Sequence, residues 1–217
     1  MSGHHFAAVE ATTAVPRLVA SCHGTVLELG AATGNQLPRF TKSALKRVYG
    51  IEPNSGFMDV LSARALETGL QDIYTPINCG IEHVDILEGH GIREETMDCI
   101  LSIQVLCSVG DPAEAAAFSY RLLKPGGEFI FFEHHASHDW FSSKVQSMFS
   151  ARNIRDLLKF VLECWDFVWP FSIGGCHMHR PIKDILLESG SWEMIELTDN
   201  EEPWMLFPRV WGKLRKV

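Results

Sequence analysis

The stretch Thr25 to Gly34, TVLELGAATG, constrains the fold of this chain more than any other. Val26, Leu27 and Leu29 form a short apolar run, Gly30, Thr33 and Gly34 supply a tight turn, and Asn35 to Phe40 reads as the opening of a helix. Strand, glycine turn and helix start together present backbone N–H groups and a positive helix end above the turn, which suits a nucleotide or a carboxylate. The next apolar run, Lys46 to Glu52 (KRVYGIE), ends in an acid about twenty positions beyond the glycines, where a carboxylate accepts both hydroxyls of a ribose. Two strands thus frame a nucleoside. The turn is not a dinucleotide fingerprint, because GAATGN has Ala32 at the middle glycine position of G-x-G-x-x-G.

The rest of the chain keeps this rhythm. Asn54 to Thr68 has a helical pattern with Asn54 as N-cap and Gly69 as its stop, and Ile73 to Asn78 reads as a third strand. Met97 to Ile103 is a near-continuous apolar run, as expected of a strand buried on both faces. Pro112 opens a helix over Ala113 to Leu123, Lys124 to Gly127 stops it, and Glu128 to Glu133 is a fifth strand. The alternation predicts an α/β fold with a doubly wound, mostly parallel sheet. Ligands of such sheets bind outside the C-terminal strand ends, which marks the loop Cys79 to Glu82 and the residue Gln104. Residues 139–173 break the rhythm: they are helical by pattern and crowded with Trp, Phe, Leu and Val, and are read first as a lid inserted over an apolar site, with plain core or membrane contact as the alternatives. Pro181 to Ser189 reads as a further helix, and Trp192 to Leu197 with Leu206 to Leu214 as a closing pair of strands, giving seven strands in a single domain over residues 1–217.

A formal charge of −8 argues against nucleic acid as a partner, and small apolar molecules fit better. Six cysteines lie scattered without a C-x-x-C pair, as free thiols in a reducing compartment do. Met1 to Glu10 carries two histidines where a secretory leader needs an apolar stretch, and no run reaches spanning length. The expectation is a cytoplasmic protein without an integral membrane segment, with peripheral membrane contact left open by the aromatic 139–173 region.

Read together, VLELGAATG, GIEPN, ILSIQVLCSV, LLKPGG and FFEH make the chain resemble the class I S-adenosylmethionine (SAM) methyltransferases. The motifs VLCSV and GGCH make it similar to the methyltransferase-like seven group, thiol methyltransferases of animal membranes, and to its fungal relatives. More distantly it resembles ubiquinone and menaquinone C-methyltransferases. The resemblance implies S-adenosyl-L-methionine as cofactor and a seven-stranded Rossmann-like sheet. It places Glu28, Gly30, Ala31, Ala32, Thr33, Gly34 and Gln36 around the methionine part of SAM. Glu52 with Pro53 falls at the ribose, Cys79, Gly80, Ile81 and Glu82 at the adenine, and Ile103 with Gln104 near the sulfonium. The activity it implies is methyl transfer to an apolar small molecule at S, O, N or C, with a role in secondary metabolism. The alternative is an enzyme of the same fold that catalyses a cyclisation or isomerisation in a natural-product pathway and does not methylate.

Methyl transfer is a displacement at a carbon already activated by a positive sulfur, so alignment and exclusion of water are the main demands. A base helps a phenol or thiol acceptor; His134, just past strand five, is the first candidate, with His135, His138 and His177 behind it. The same histidines, with His138, Asp139 and His179, could instead converge on a metal. Because methylation of sulfur or oxygen does not require one, the expectation is no metal.

Overall fold

The computed structural model describes residues 8–136, 175–177, 180–200 and 208–217. The expected lid, residues 139–173, lies outside them, as do His138, Asp139 and His179.

Seven strands form one sheet: β1 (Gly24–Leu29), β2 (Leu45–Ile51), β3 (Tyr74–Ile77), β4 (Met97–Ile103), β5 (Leu123–His134), β6 (Trp192–Asp199) and β7 (Arg209–Lys216). Their order is β3-β2-β1-β4-β5-β7-β6. Strands β1 to β5 pair in parallel, and β7 runs antiparallel to both β5 and β6. The order reverses between β1 and β4, so the crevice in which such sheets bind ligands opens above their C-terminal ends.

The helices are α1 (Val15–Ala20), α2 (Met58–Glu67), α3 (Val84–Gly89), α4 (Pro112–Leu122) and α5 (Ile182–Glu188). Alternate residues of each buried strand feed opposite layers. Val26, Cys99, Leu101, Ile130 and Phe132 pack with Leu18 of α1 and Leu61 of α2, while Leu27, Leu29, Ile100, Phe129 and Phe131 pack with Leu87 of α3, Ala116 of α4 and Leu186 of α5. The strand runs are apolar on both faces because both faces are covered.

Two local readings are corrected. No α-helix follows the glycine turn: the stretch holds two short 3-10 turns, Leu37–Arg39 and Lys42–Ala44. Pro38 stands in the first and Phe40 is already extended at φ −67°, ψ 139°, so helix cannot propagate through it. A positive helix end is therefore not part of the site. The second is α3, which the sequence reading missed; it is only six residues long and has two exposed apolar residues, Val84 and Ile86, which blur its periodicity. Lys124 to Gly127 does interrupt the ladder, since Met97 pairs with Leu123 and Cys99 with Glu128, leaving those four residues as an irregularity inside β5.

Candidate functional site

The glycine turn is held by backbone geometry rather than by a helix. Gly30 and Gly34 take left-handed conformations at φ 58° and φ 76°, and Ala32 between them does so at φ 46°. A side chain at Gly30 would begin 2.7 Å from Val105, so the turn lies close against the loop that leaves β4. An alanine in the left-handed region costs roughly 1–2 kcal/mol, which the surroundings of Ala32 must offset.

Those surroundings are supplied by Glu52 at the tip of β2. Its Oε2 accepts the Ala32 N–H at 3.0 Å and its Oε1 accepts the Asn54 N–H at 2.9 Å. The carboxylate is 7% exposed, and it bridges the glycine turn to the start of the β2–α2 connection. A carboxylate oxygen has two lone pairs, so each oxygen can still accept a ligand hydroxyl. Asn78, just past β3, donates to the carbonyls of Glu52 (2.9 Å) and Pro53 (3.1 Å), fixing the next wall. Beyond it the Gly80 N–H donates to His83 Nδ1 at 2.9 Å, which curls the loop bearing Cys79, Gly80 and Ile81, all buried, with Glu82 exposed. Ile81 and Glu82 also border a cleft shared with Val109, Asp111 and Phe118. These residues fit a nucleoside: a diol-accepting acid, flanked by apolar walls.

Glu28 and Gln36 are both buried, each with protein partners of its own. Glu28 sits within β1, fully buried, and its Oε2 accepts the Tyr74 hydroxyl at 2.7 Å. Tyr74 reaches it from β3 across Gly50 of β2, where a Cβ would lie 1.8 Å from the phenolic oxygen. Burial pushes the Glu28 carboxyl up to about 7, with the Tyr74 hydrogen bond pulling it down and the charge of Glu10 adding to the rise. Its Oε1 is buried without a hydrogen-bond partner among the described residues, so a donor brought by a ligand would complete it. Gln36 is buried and spans Glu10 and Arg39, donating to the former and accepting from the latter at 2.6 Å. Thr33, by contrast, stays half-exposed at the turn.

On the other side of the crevice β4 ends at Ile103, and Gln104 leaves it with φ 59°, its N–H donating to the Phe132 carbonyl at 2.8 Å. The buried Glu133 clamps this loop from β5: its Oε1 accepts the Ser102 hydroxyl at 2.7 Å and the Val105 N–H at 3.0 Å. Burial holds its carboxyl above the usual carboxylate range, against those hydrogen bonds. The clamped loop continues to Cys107. His134, at the end of β5, places Nδ1 3.4 Å from the Cys176 sulfur, and the Cys107 sulfur completes a group whose three ligand atoms lie within 4.8 Å of one another. Cys107 and Cys176 influence each other directly: Cys176 is lowered chiefly by its contact with Cys107, and Cys107 is raised chiefly by its contact with Cys176 and then by burial.

His134 is thus half-buried at the acceptor edge, with a thiol as neighbour. His135 is buried, its N–H bonded to the Pro208 carbonyl at 3.0 Å, and His177 is exposed, its N–H bonded to the Cys107 carbonyl at 2.9 Å. The three histidines thus differ in burial: His135 is buried, His134 half-buried and His177 exposed. The grouping of the two cysteines was not legible in the sequence, because Cys107 and Cys176 carry no short spacing; their motifs VLCSV and GGCH were the signal. Arg180 then ties the Cys176 segment to the Cys107 loop, donating to the carbonyls of Leu106 at 3.0 Å and Val109 at 2.5 Å.

Residues 27–131 match a family described as a methyltransferase domain. The thiol S-methyltransferase TMT1B of Rattus norvegicus is 27% identical over 201 residues, which is 88% of this chain and 70% of the relative. Thiol S-methyltransferase TMT1A of Homo sapiens is 25% identical over 191 residues, 87% of this chain and 69% of that one. Among solved structures, geranyl diphosphate methyltransferase in complex with SAM aligns at a TM-score of 0.66 and 11% identity, covering 97% of this chain and 85% of its own. The cyclase SpnF aligns at a TM-score of 0.64 and 14% identity, covering 98% and 80%. At such identities the two structures establish the fold alone.

Proposed function

The chain belongs to the class I SAM-dependent methyltransferases, and on that premise we propose that it carries the methyl group of SAM to the sulfur of an apolar small-molecule thiol. One observation carries the cofactor side of this reading: Glu52, bracketed by the Ala32 and Asn54 N–H groups, stands at the tip of β2 over the glycine turn with lone pairs left for a ribose diol. The acceptor class is supported by the rat and human thiol methyltransferases, whose likeness extends over most of the chain. The apolar residues of 139–173 favour a hydrophobic acceptor.

SAM supplies an electrophilic methyl carbon on a positive sulfur, and this chain's residues align and desolvate it. Glu52 would hold the ribose, Gly30 to Gly34 and Glu28 would receive the methionine part, Cys79 to Glu82 would flank the adenine, and Ile103 with Gln104 would border the reacting carbon. The acceptor would be aligned from the side of Gln104 and His134.

The cofactor assignment predicts that Glu52→Ala weakens SAM binding by about tenfold or more in calorimetry, since each hydrogen bond to a charged carboxylate contributes roughly 1.5–3 kcal/mol. Unchanged affinity in a folded variant would remove Glu52 from the ribose site. The activity is tested by incubating the protein with SAM and a panel of aliphatic thiols, aromatic thiols and phenols, with mass spectrometry of the products. A methyl thioether formed in step with S-adenosylhomocysteine supports the reading. SAM bound and never consumed would overturn it in favour of a methyltransferase fold put to cyclisation or isomerisation.

A further inference from the structure

Three potential metal ligands from three separate parts of the chain meet at the acceptor edge of the sheet: Cys107 in the loop after β4, His134 at the end of β5, and Cys176 before α5. Both cysteines are buried and the histidine is half-buried. Their ligand atoms lie within 4.8 Å of one another, and the Cys176 sulfur is 3.4 Å from His134 Nδ1. A sulfur at ~2.3 Å and a nitrogen at ~2.0 Å from a tetrahedral zinc ion stand about 3.6 Å apart. The Cys176 and His134 side chains are thus already spaced as two corners of a zinc tetrahedron, with the Cys107 sulfur within 4.8 Å of both.

Independent contacts keep them there. Glu133 clamps the β4 loop through Ser102 and Val105. The His177 N–H bonds the Cys107 carbonyl, and Arg180 bonds the carbonyls of Leu106 and Val109, so the segment carrying Cys176 is docked on the loop carrying Cys107. Two thiolates, a neutral imidazole and a divalent cation sum to no net charge, which a largely buried site tolerates. Thiolate and imidazole donors select zinc over magnesium or calcium.

We infer that Cys107, His134 and Cys176 form a zinc site whose fourth position, among the described residues, is left for the acceptor. Three protein ligands and one exchangeable position is the pattern of catalytic rather than structural zinc. The use of that position rests on the methyl-transfer reading. A thiol entering it displaces a bound water and ionises as it coordinates, its proton leaving to solvent. The thiolate sulfur then donates an electron pair to the methyl carbon of SAM; the carbon–sulfonium bond breaks, its pair stays on S-adenosylhomocysteine, and the neutral thioether, a poor ligand, departs. His134 accordingly serves as a zinc ligand and the metal does the work expected of a base.

The full chain, reduced and stripped with chelator, is titrated with zinc against a chromophoric chelator, and separately with cobalt(II). The expected result is one zinc per chain, and a cobalt form showing thiolate-to-metal charge-transfer absorption. Cys176→Ser is expected to bind zinc ~100-fold more weakly or worse, with SAM affinity retained. Wild-type zinc affinity no tighter than that of Cys176→Ser, or a cobalt spectrum without thiolate bands, overturns the inference, as does a reduced chain that takes up no zinc and reoxidises to a Cys107–Cys176 disulfide. The wild-type titration stands even if the variant fails to fold. Thiol methylation by a zinc-free chain sinks the zinc site alone, whereas zinc and SAM bound without methylation sinks the activity alone.

Discussion

Glu28 is a buried carboxyl resting on a single hydroxyl, that of Tyr74, and its protonation reaches the stability of the whole domain. Its folded-state value is about 7, raised from 4.5, so between those values the native state holds a proton that the unfolded chain gives up. Stability contributed by this group therefore falls as pH rises through that window, by roughly 3 kcal/mol at most. Glu28→Gln removes the titration. Urea unfolding of the ligand-free protein at about pH 5 and about pH 7.5 should show wild type losing stability relative to the variant, and parallel profiles would refute the assignment. The two acids of the cradle differ in how legible they are. Glu52 was singled out by its spacing to the glycines, and in the structure its carboxylate accepts the Ala32 and Asn54 N–H groups. The state of Glu28 depends on a tyrosine 46 positions away, which no local pattern announces.

Strand β4 and the Phe129 to Phe132 core of β5 could be read from the sequence because they are covered on both faces and so are apolar over nearly their whole length. The connection from β1 to β2 could not, since its shape is set by length and by Pro38 rather than by periodicity. Gly50 belongs to the same lesson. It looks like an ordinary strand residue, yet Tyr74 passes over it from β3 to β1, lacing three strands together. Gly50→Ala should cost about 3 kcal/mol or more, by overpacking and by stranding the Glu28 carboxyl. Once the tyrosine is displaced its hydroxyl has little left to lose, so Gly50→Ala with Tyr74→Phe should cost less than the sum of the two changes in denaturant unfolding. Additive costs would show that Tyr74 does not bridge the strands.

Across the whole molecule, the acceptor edge is assembled from segments far apart in the chain, and this is why its cysteines were not recognised as a group. Arg180 is the tie, reaching the Leu106 carbonyl over 74 positions. Arg180→Ala removes hydrogen bonds of a charged donor, with an expected loss of about 2 kcal/mol and a fall in Tm of about 4–8 °C by calorimetry. An unchanged Tm would mean that the two segments hold together without it. The most distant strand pairing among the described residues is that of β7 with β5; β7 is last of the seven strands in chain order yet lodged between β5 and β6, with Glu128 facing Arg215 and His134 facing Arg209. On the ribosome this sets a timetable. Until residues 209–216 emerge, the nascent chain carries β5, with Phe129 to Phe132 at its centre, as a bare edge whose N–H and C=O groups can pair with any other strand that drifts by. The newborn protein is thus most prone to aggregate just before it finishes folding, and a stop a few codons early in this segment would leave the chain permanently in that state.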